Sequence, residues 1–299
     1  MMSQTISPSV SRPYGLERVC RAWDASRSTF YSRQKKVASG EGNKCEKPGP
    51  KPDISDNELL TMIRTDIITT PFKGEGHRKV HARLKRQKAR VGRNRVLGVM
   101  RANGLLSPHR RIQIPHDPHD GKIITDAPNV MWCSDGTKVF TRDDGWVWIF
   151  AVEEHWNAEC LGWHVCKTGD RFAALEPVTQ AVKKIYGSTG KDVAKGLKIR
   201  IDNGSQYTSD YFLKQIAYMG IQDSFGMIRQ PQTNGVAERF NRTLKEQILD
   251  GKIFYGVEEL REAVRQFVAQ YNAKWLLGKL NYQSPIEARQ NYFRMKGAA

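Results

Sequence analysis

Residues 127–225 run through apolar, β-branched stretches and helix-period stretches in an order that few folds accommodate. Val130–Thr141 and Trp146–Glu154 are strand-like and are parted by Arg142-Asp143-Asp144-Gly145, a turn signal that folds them into an antiparallel hairpin. Cys160–Cys166 reads as a third strand. Ala173–Tyr186 has helical period, Leu197–Ile201 is a short buried strand, Tyr211–Met219 is a helix and Ile221–Phe225 a further strand. Three antiparallel strands followed by alternating helices and parallel strands predict an α/β core, a mixed sheet flanked by helices.

Three carboxylates fall at defined places on that frame. Asp135 lies on the first strand-like run, in W-C-S-D-G-T-K-V (132–139). Asp202 ends the fourth, in I-D-N-G-S-Q-Y-T-S (201–209). Glu238 lies in Q-T-N-G-V-A-E-R-F-N-R-T-L-K (232–245), on a helix expected to follow Pro231. Singly, an Asp before Asn-Gly is a turn residue and a helical Glu a solvated one. Together they put hard oxygen donors from three separate elements at one sheet edge. That is the requirement of a phosphoryl-transfer site with two magnesium ions, for which manganese can substitute.

The element order is the ribonuclease-H-like one. With D-N-G-S-Q-Y-T-S and N-G-V-A-E-R-F-N-R-T-L-K in place, the chain resembles bacterial insertion-sequence transposases of the retroviral-integrase type, the DDE recombinases. The resemblance spans nearly all of the chain and is most specific over 128–290. It implies that Asp135, Asp202 and Glu238 are the catalytic acids and metal ligands. The expected activity is cleavage at the ends of a mobile element followed by joining of the freed 3′-hydroxyl to another phosphodiester. The implied partner is double-stranded DNA, both terminal inverted repeats and target. A homo-oligomer on DNA is expected, and an upstream reading frame is a candidate partner or fusion.

Lys245 follows Glu238 by seven residues, close to two helical turns, so both side chains are expected on one face. Asn234, Asn241 and Arg242 flank the same stripe. A cation there would hold a DNA phosphate, which is also what the resemblance implies; by itself Lys245 reads as a surface lysine. Asn203, Gly204, Gln206 and Tyr207, with Asn234 and Lys245, are the candidates for positioning DNA near the acids.

Charge supports a polyanionic partner. Of 299 residues, 48 are Lys or Arg and 31 Asp or Glu, a net charge of +17. Residues 1–122 hold 25 of the basic residues against 11 acidic ones, and from Gly76 to Arg111 there are 12 basic residues and no acid. Residues 1–37 read as two short helices around Asp24-Ala25. Val19, Trp23, Phe30 and Tyr31 are expected to bury one face, and Arg27, Arg33, Lys35 and Lys36 to face a phosphate backbone in helix-turn-helix fashion. A Gly-, Lys- and Pro-rich linker (38–53) follows. A second helical unit (54–106) holds Leu59, Leu60, Ile63, Ile67, Val80, Leu84, Val96 and Met100 at helical spacing. It carries Arg83, Lys85, Arg86, Arg93 and Arg95 as candidate DNA contacts, again in a helix-turn-helix arrangement. A basic connector (107–126), the core (127–290) and a tail (291–299) complete the division.

The five cysteines form no close C-x-x-C pair, which argues against a disulfide framework. The pairs His77/His81 and His116/His119 precede no C-x-x-C, so no zinc site is expected. Nothing resembles a signal peptide or a membrane span, and the expected location is the bacterial cytoplasm, with the nucleoid. Two departures from the family pattern stand out: Trp275-Leu276-Leu277 replaces a basic or Pro-His stretch, and Glu154 replaces an Asp at the end of the second strand. Two other functions remain open on these residues. A ribonuclease-H-like nuclease would cut without joining and needs no helix-turn-helix units; a DNA-binding regulator derived from a transposase would have lost its acids.

Overall fold

A computed structural model describes residues 2–38, 53–108, 123–225 and 234–297. Most of the expected linker and connector, the 226–233 segment with Pro231, and Cys45, His116 and His119 lie outside the described residues. The chain divides into two compact units, Met1–Asp53 and Ile54–Ala299.

The first unit contains α1 (Leu16–Ala22) and α2 (Arg27–Ala38). The apolar face expected there is not buried. Cys20 is the buried hydrophobe, while Trp23 is 70% and Tyr31 51% exposed. The two helices are too short to enclose large aromatic rings between them, so those rings stay in solvent.

In the second unit, α3 (Asp56–Thr69), α4 (His77–Arg86) and α5 (Arg93–Ala102) enclose Leu59, Ile63, Val80, Leu84, Val96 and Met100. A capping box starts α3: Ser55 Oγ accepts from the Glu58 N–H, and the Glu58 carboxylate accepts from the Ser55 N–H. The 54–106 segment thus has a small core of its own, yet it packs on the sheet and its helices. Phe72, in the loop after α3, is buried against residues of the sheet and its helices. Its ring meets Trp275 edge-on at 4.8 Å, and Lys79 Nζ sits 2.9 Å from the Trp275 ring centre. The departure at Trp275 therefore has a structural use: it receives the helical unit.

The sheet has five strands in the order β3-β2-β1-β4-β5. These are β1 (Met131–Thr141), β2 (Gly145–Glu154), β3 (Cys160–Cys166), β4 (Lys198–Ile201) and β5 (Gln222–Phe225). β1–β2 and β2–β3 are antiparallel; β1–β4 and β4–β5 are parallel. Side chains alternate between faces along a strand. One face, with Trp132, Phe150 and Ile199, packs under α6 (Arg171–Tyr186) and α7 (Asp210–Tyr218). At Gly162 of β3, a Cβ would lie 2.0 Å from the Pro177 carbonyl oxygen of α6, so glycine is what admits so close a helix. The opposite face, with Val147, Ile149 and Ala151, packs under α8 (Gly235–Leu244) and α9 (Val257–Lys274). The final helix, α10 (Pro285–Gly297), runs through the position expected for a tail.

Candidate active site

The parallel register of β1 and β4 brings two of the acids together. Cys133 pairs with Arg200, and carrying that register two residues further sets Asp202 beside Asp135 on the same face. Asp202 stands just past the last residue of β4, at the carboxyl end of a parallel strand, where the chain leaves the sheet. Its Oδ1 accepts the Gly204 N–H at 2.8 Å. At Gly204 a Cβ would lie 2.5 Å from Gln206 Nε2 and 2.9 Å from Asp202 Oδ1, so a side chain there would push Gln206 and the Asp202 carboxylate aside.

α8 packs on the sheet face that carries Asp135, brings the third acid there and is stapled to β1 by two asparagines. Asn234 Nδ2 donates to the Ser134 carbonyl at 3.1 Å, and Asn241 Nδ2 donates to Asp135 Oδ2 at 3.0 Å. The other carboxylate oxygen of Asp135 accepts its neighbour's N–H, from Gly136, at 2.8 Å. Glu238 lies between the two staples, in the first turn of α8, where a negative charge complements the helix dipole. Asp135, Glu238, Asn241, Arg242 and Lys245 line one cleft of about 490 Å³. Asp202 is not among the lining residues; it reaches the site through Asp135, on which its charge acts.

The acids repel one another. Burial pushes the Asp135 carboxyl above its ordinary value and the Asp202 charge pushes the same way, against the hydrogen bonds from Gly136 and Asn241 and the Lys245 charge. Glu238 is also raised, by burial and then by Asp135, with Arg242 pulling it back. Among the described residues no three His, Cys, Asp or Glu side chains are gathered closely enough to grip a metal ion as they stand. The donors nonetheless suit a hard divalent cation. They are oxygens on three elements, mutually repelling, and the buried Asn241 Oδ1 beside Asp135 has no hydrogen-bond partner. A cation at this edge would relieve both conditions.

Residues 125–231 match one family model described as Integrase core domain and residues 219–285 match another with that description. Residues 125–285 are thus matched throughout by integrase core domains. It is 28% identical over 256 residues to the transposase assigned to insertion sequence element IS986/IS6110 of Mycobacterium tuberculosis, covering 82% of this chain and 91% of that protein. It is 27% identical over 247 residues to transposase InsD for insertion element IS2D of Escherichia coli K12, covering 78% of each. Among solved structures it is similar to the catalytic core domain of BIV integrase, with a TM-score of 0.41 and 21% identity over 56% of this chain and 98% of that one.

Several residues expected to touch DNA in this integrase-core chain are engaged elsewhere. Tyr207 is completely buried, its hydroxyl 3.1 Å from Ser134 Oγ, so its ring is core and cannot reach a nucleic acid. Asn234 and Asn241 are buried staples between α8 and β1 rather than phosphate contacts. Arg83 is held by Asp66 through two hydrogen bonds of 2.8 Å and by Glu75; Arg86 reaches both oxygens of Glu287 at 2.9 Å; Arg95 is held by Asp56. Their guanidinium forks are taken by acids, two of which, Asp66 and Glu75, are themselves nearly buried. Arg27, Arg33, Lys85, Arg93, Asn203 and Arg242 are exposed, Gly204 and Gln206 partly so, and Lys245 is exposed at the cleft.

One acid escaped the sequence reading. Glu153 is buried under α8 on the Asp135 face, opposite Cys133 in the β1–β2 register, and its Oε2 has no hydrogen-bond partner among the described residues. Burial, followed by the Asp135 charge, pushes it well above the ordinary carboxylate range. The signal was present: period-2 alternation puts position 153 on the inward face with Val147, Ile149 and Ala151. The neighbouring Glu154 is structural. It accepts the Asn129 N–H at 2.7 Å and pairs with Arg289.

Proposed function

We propose that this chain is a DNA transposase that cuts the 3′ ends of a mobile element and joins the freed 3′-hydroxyls to target DNA. The observation that carries this is the meeting of Asp135 and Glu238 in one cleft with an exposed Lys245, with Asp202 set beside Asp135 by the β1–β4 register, in a chain that matches integrase core domains. Asp135 and Asp202 would hold two magnesium ions, or manganese in their place, and Glu238 would complete one of the two sites. When bound, the ions supply activation of the attacking oxygen and neutralisation of charge on the phosphate. The protein's own work is positioning. Asn241 orients Asp135, Gly204 holds the Asp202 carboxylate, and Lys245 and Arg242 take backbone phosphates next to the scissile one. In each step an oxygen attacks phosphorus as the bridging 3′-oxygen leaves: water in the cut, the element's 3′-hydroxyl in the joining. No covalent enzyme intermediate is needed.

The substrates are double-stranded terminal repeats and target DNA. Holding two ends requires a dimer or larger assembly, and an upstream-frame protein is a candidate partner or fusion. Exposed Arg27, Arg33, Lys85 and Arg93, with Asn203 and Gln206, are the remaining DNA contacts. The division into a first helical unit, a second one at 54–106 and a core at 127–290 assigns end binding to the first two. The site of action is the cytoplasm, at the nucleoid. Duplexes cut from the DNA flanking the gene, incubated with the full chain and magnesium, should yield both nicked ends and joined products. Nicked ends without joined products would favour a nuclease, and neither product a DNA-binding regulator.

A further inference from the structure

The end of α8 departs from α-helix just where Lys245 stands. Lys245–Leu249 is a π-helical turn, closed by the Asp250 N–H donating to the Lys245 carbonyl at 2.8 Å. Such turns are rare and recur at functional sites, because a wider ring persists only where its surroundings hold it. Here the surroundings come from the helical unit. Phe72, in the α3–α4 loop, is buried in the cluster that holds Phe240 and Leu244 of α8, with Ile248 and Leu249 packed against it. The next residue, Lys73, donates its N–H to Gln247 Oε1 at 2.8 Å and accepts from Gln247 Nε2 at 3.0 Å. One side-chain amide therefore takes both backbone polar groups of Lys73, from 174 residues away in sequence. A two-point lock fixes direction as well as distance. Lys245 opens the turn, its N–H still donating to the Asn241 carbonyl of α8 and its own carbonyl held by Asp250, so a slackened turn would loosen the helix end from which Lys245 faces the cleft.

We propose that the Phe72–Lys73 loop holds this π turn in place and that Gln247 is the positioning residue through which it aims Lys245. The inference rests on the reading of Lys245 as the phosphate-holding cation. It also ties the helical unit to the catalytic cleft through one loop, so that DNA held by the former is presented to the latter in a fixed relation.

The experiment uses the full chain, magnesium and duplexes cut from the DNA flanking the gene. Gln247→Ala should lower end cleavage about fivefold, with duplex affinity within about twofold of wild type. In a Lys245→Ala background it should cause no further loss, because both changes act through one group. Amide exchange at Asp250 should speed up in Gln247→Ala. Should the Ala variant unfold, Gln247→Met, of similar length but without the amide, carries the same expectations. Wild-type cleavage in Gln247→Ala or Gln247→Met overturns the proposal, and so does a loss that multiplies with that of Lys245→Ala. If Lys245→Ala cleaves normally while Asp135→Asn is inactive, this inference falls and the functional reading stands. Retained cleavage in Asp135→Asn removes the functional reading, and the inference with it.

Discussion

Asn241 donates its side-chain amide to Oδ2 of Asp135 at 3.0 Å, joining the middle of α8 to the middle of β1 at the site of the candidate chemistry. Asp135 is half-buried and raised above its ordinary value by burial. The amide is therefore one of only a few groups favouring its charged form.

Asn241→Ala should lower cleavage and joining about tenfold, or ~1.4 kcal/mol, with the fold retained. Asn241→Asp should cost more, since a carboxylate in that place repels Asp135 directly. Single-turnover rates at saturating magnesium test both. Full activity in Asn241→Asp would show that the contact does not matter to Asp135.

Asp135→Asn, Asp202→Asn and Glu238→Gln should each abolish cleavage and joining while end binding stays near wild type. Loss of a ligand removes transition-state stabilisation and leaves phosphate contacts elsewhere intact. Gel shifts run beside a strand-joining assay separate the two effects. Joining by any of the three with magnesium as the sole metal contradicts the assignment.

Lys245→Ala should lower both steps by more than about tenfold, with thermal stability changed by no more than about 0.5 kcal/mol because the side chain is exposed. Lys245→Arg should keep most of the activity if charge alone matters. Lys252, exposed beyond the π turn, should tolerate Ala. A Lys245→Ala enzyme that joins ends like wild type would reduce Lys245 to a surface residue.

Glu153 should make stability depend on pH. Its folded pKa is raised well above the ordinary value near 4.5, by burial and by Asp135. The folded chain therefore holds this proton where the unfolded chain has released it. The resulting stability is fully present below the unfolded value and is lost as pH rises towards the folded one. Glu153→Gln should flatten the decline in urea midpoint as pH rises above the ordinary carboxylate range, relative to wild type. Parallel declines in the two proteins would assign the pH dependence to other acids.

Arg83 and Arg93 lie one helix apart and should behave oppositely. Arg83→Ala leaves the nearly buried Asp66 without its cation and Glu75 with Lys79 alone, and should destabilise the fold by about 3–5 kcal/mol. Arg93→Ala should leave the melting temperature alone and reduce the slope of log affinity against log salt by about 0.9. Melting curves and salt titrations of both variants decide it, and a stable Arg83→Ala with a reduced salt slope would reverse the assignment.

What could be read along the chain is what neighbours in sequence decide. The hairpin at Arg142-Asp143-Asp144-Gly145, the strand Cys160–Cys166 and the order of strands and helices follow from periodicity and turn residues, which act over a few positions. The spacing of Asp135, Asp202 and Glu238 was legible for the same reason. Each is tied to a named element, and the sheet order then brings the elements together.

What could not be read depends on partners remote in sequence. Tyr207 stands in a motif of polar and turn residues, and packing against Phe150 and Phe212, with its hydroxyl beside Ser134, 73 positions earlier, makes it a buried core residue. Arg83 and Arg86 sit in a run of positive charge that looks available to DNA until Asp66, Glu75 and Glu287 close on them. Trp23 and Tyr31 have the spacing of a buried face but no opposing surface within their unit. Sequence by itself determined the elements, the acids and the excess of charge, because backbone preference, patterning and composition are local or additive. The tertiary structure alone decided which cations are taken by acids, which side chain holds Asp135, and that Lys73 in the loop after α3 is bonded at two points to Gln247 beyond α8. Those contacts join residues far apart in the chain, and only packing brings them within hydrogen-bonding distance.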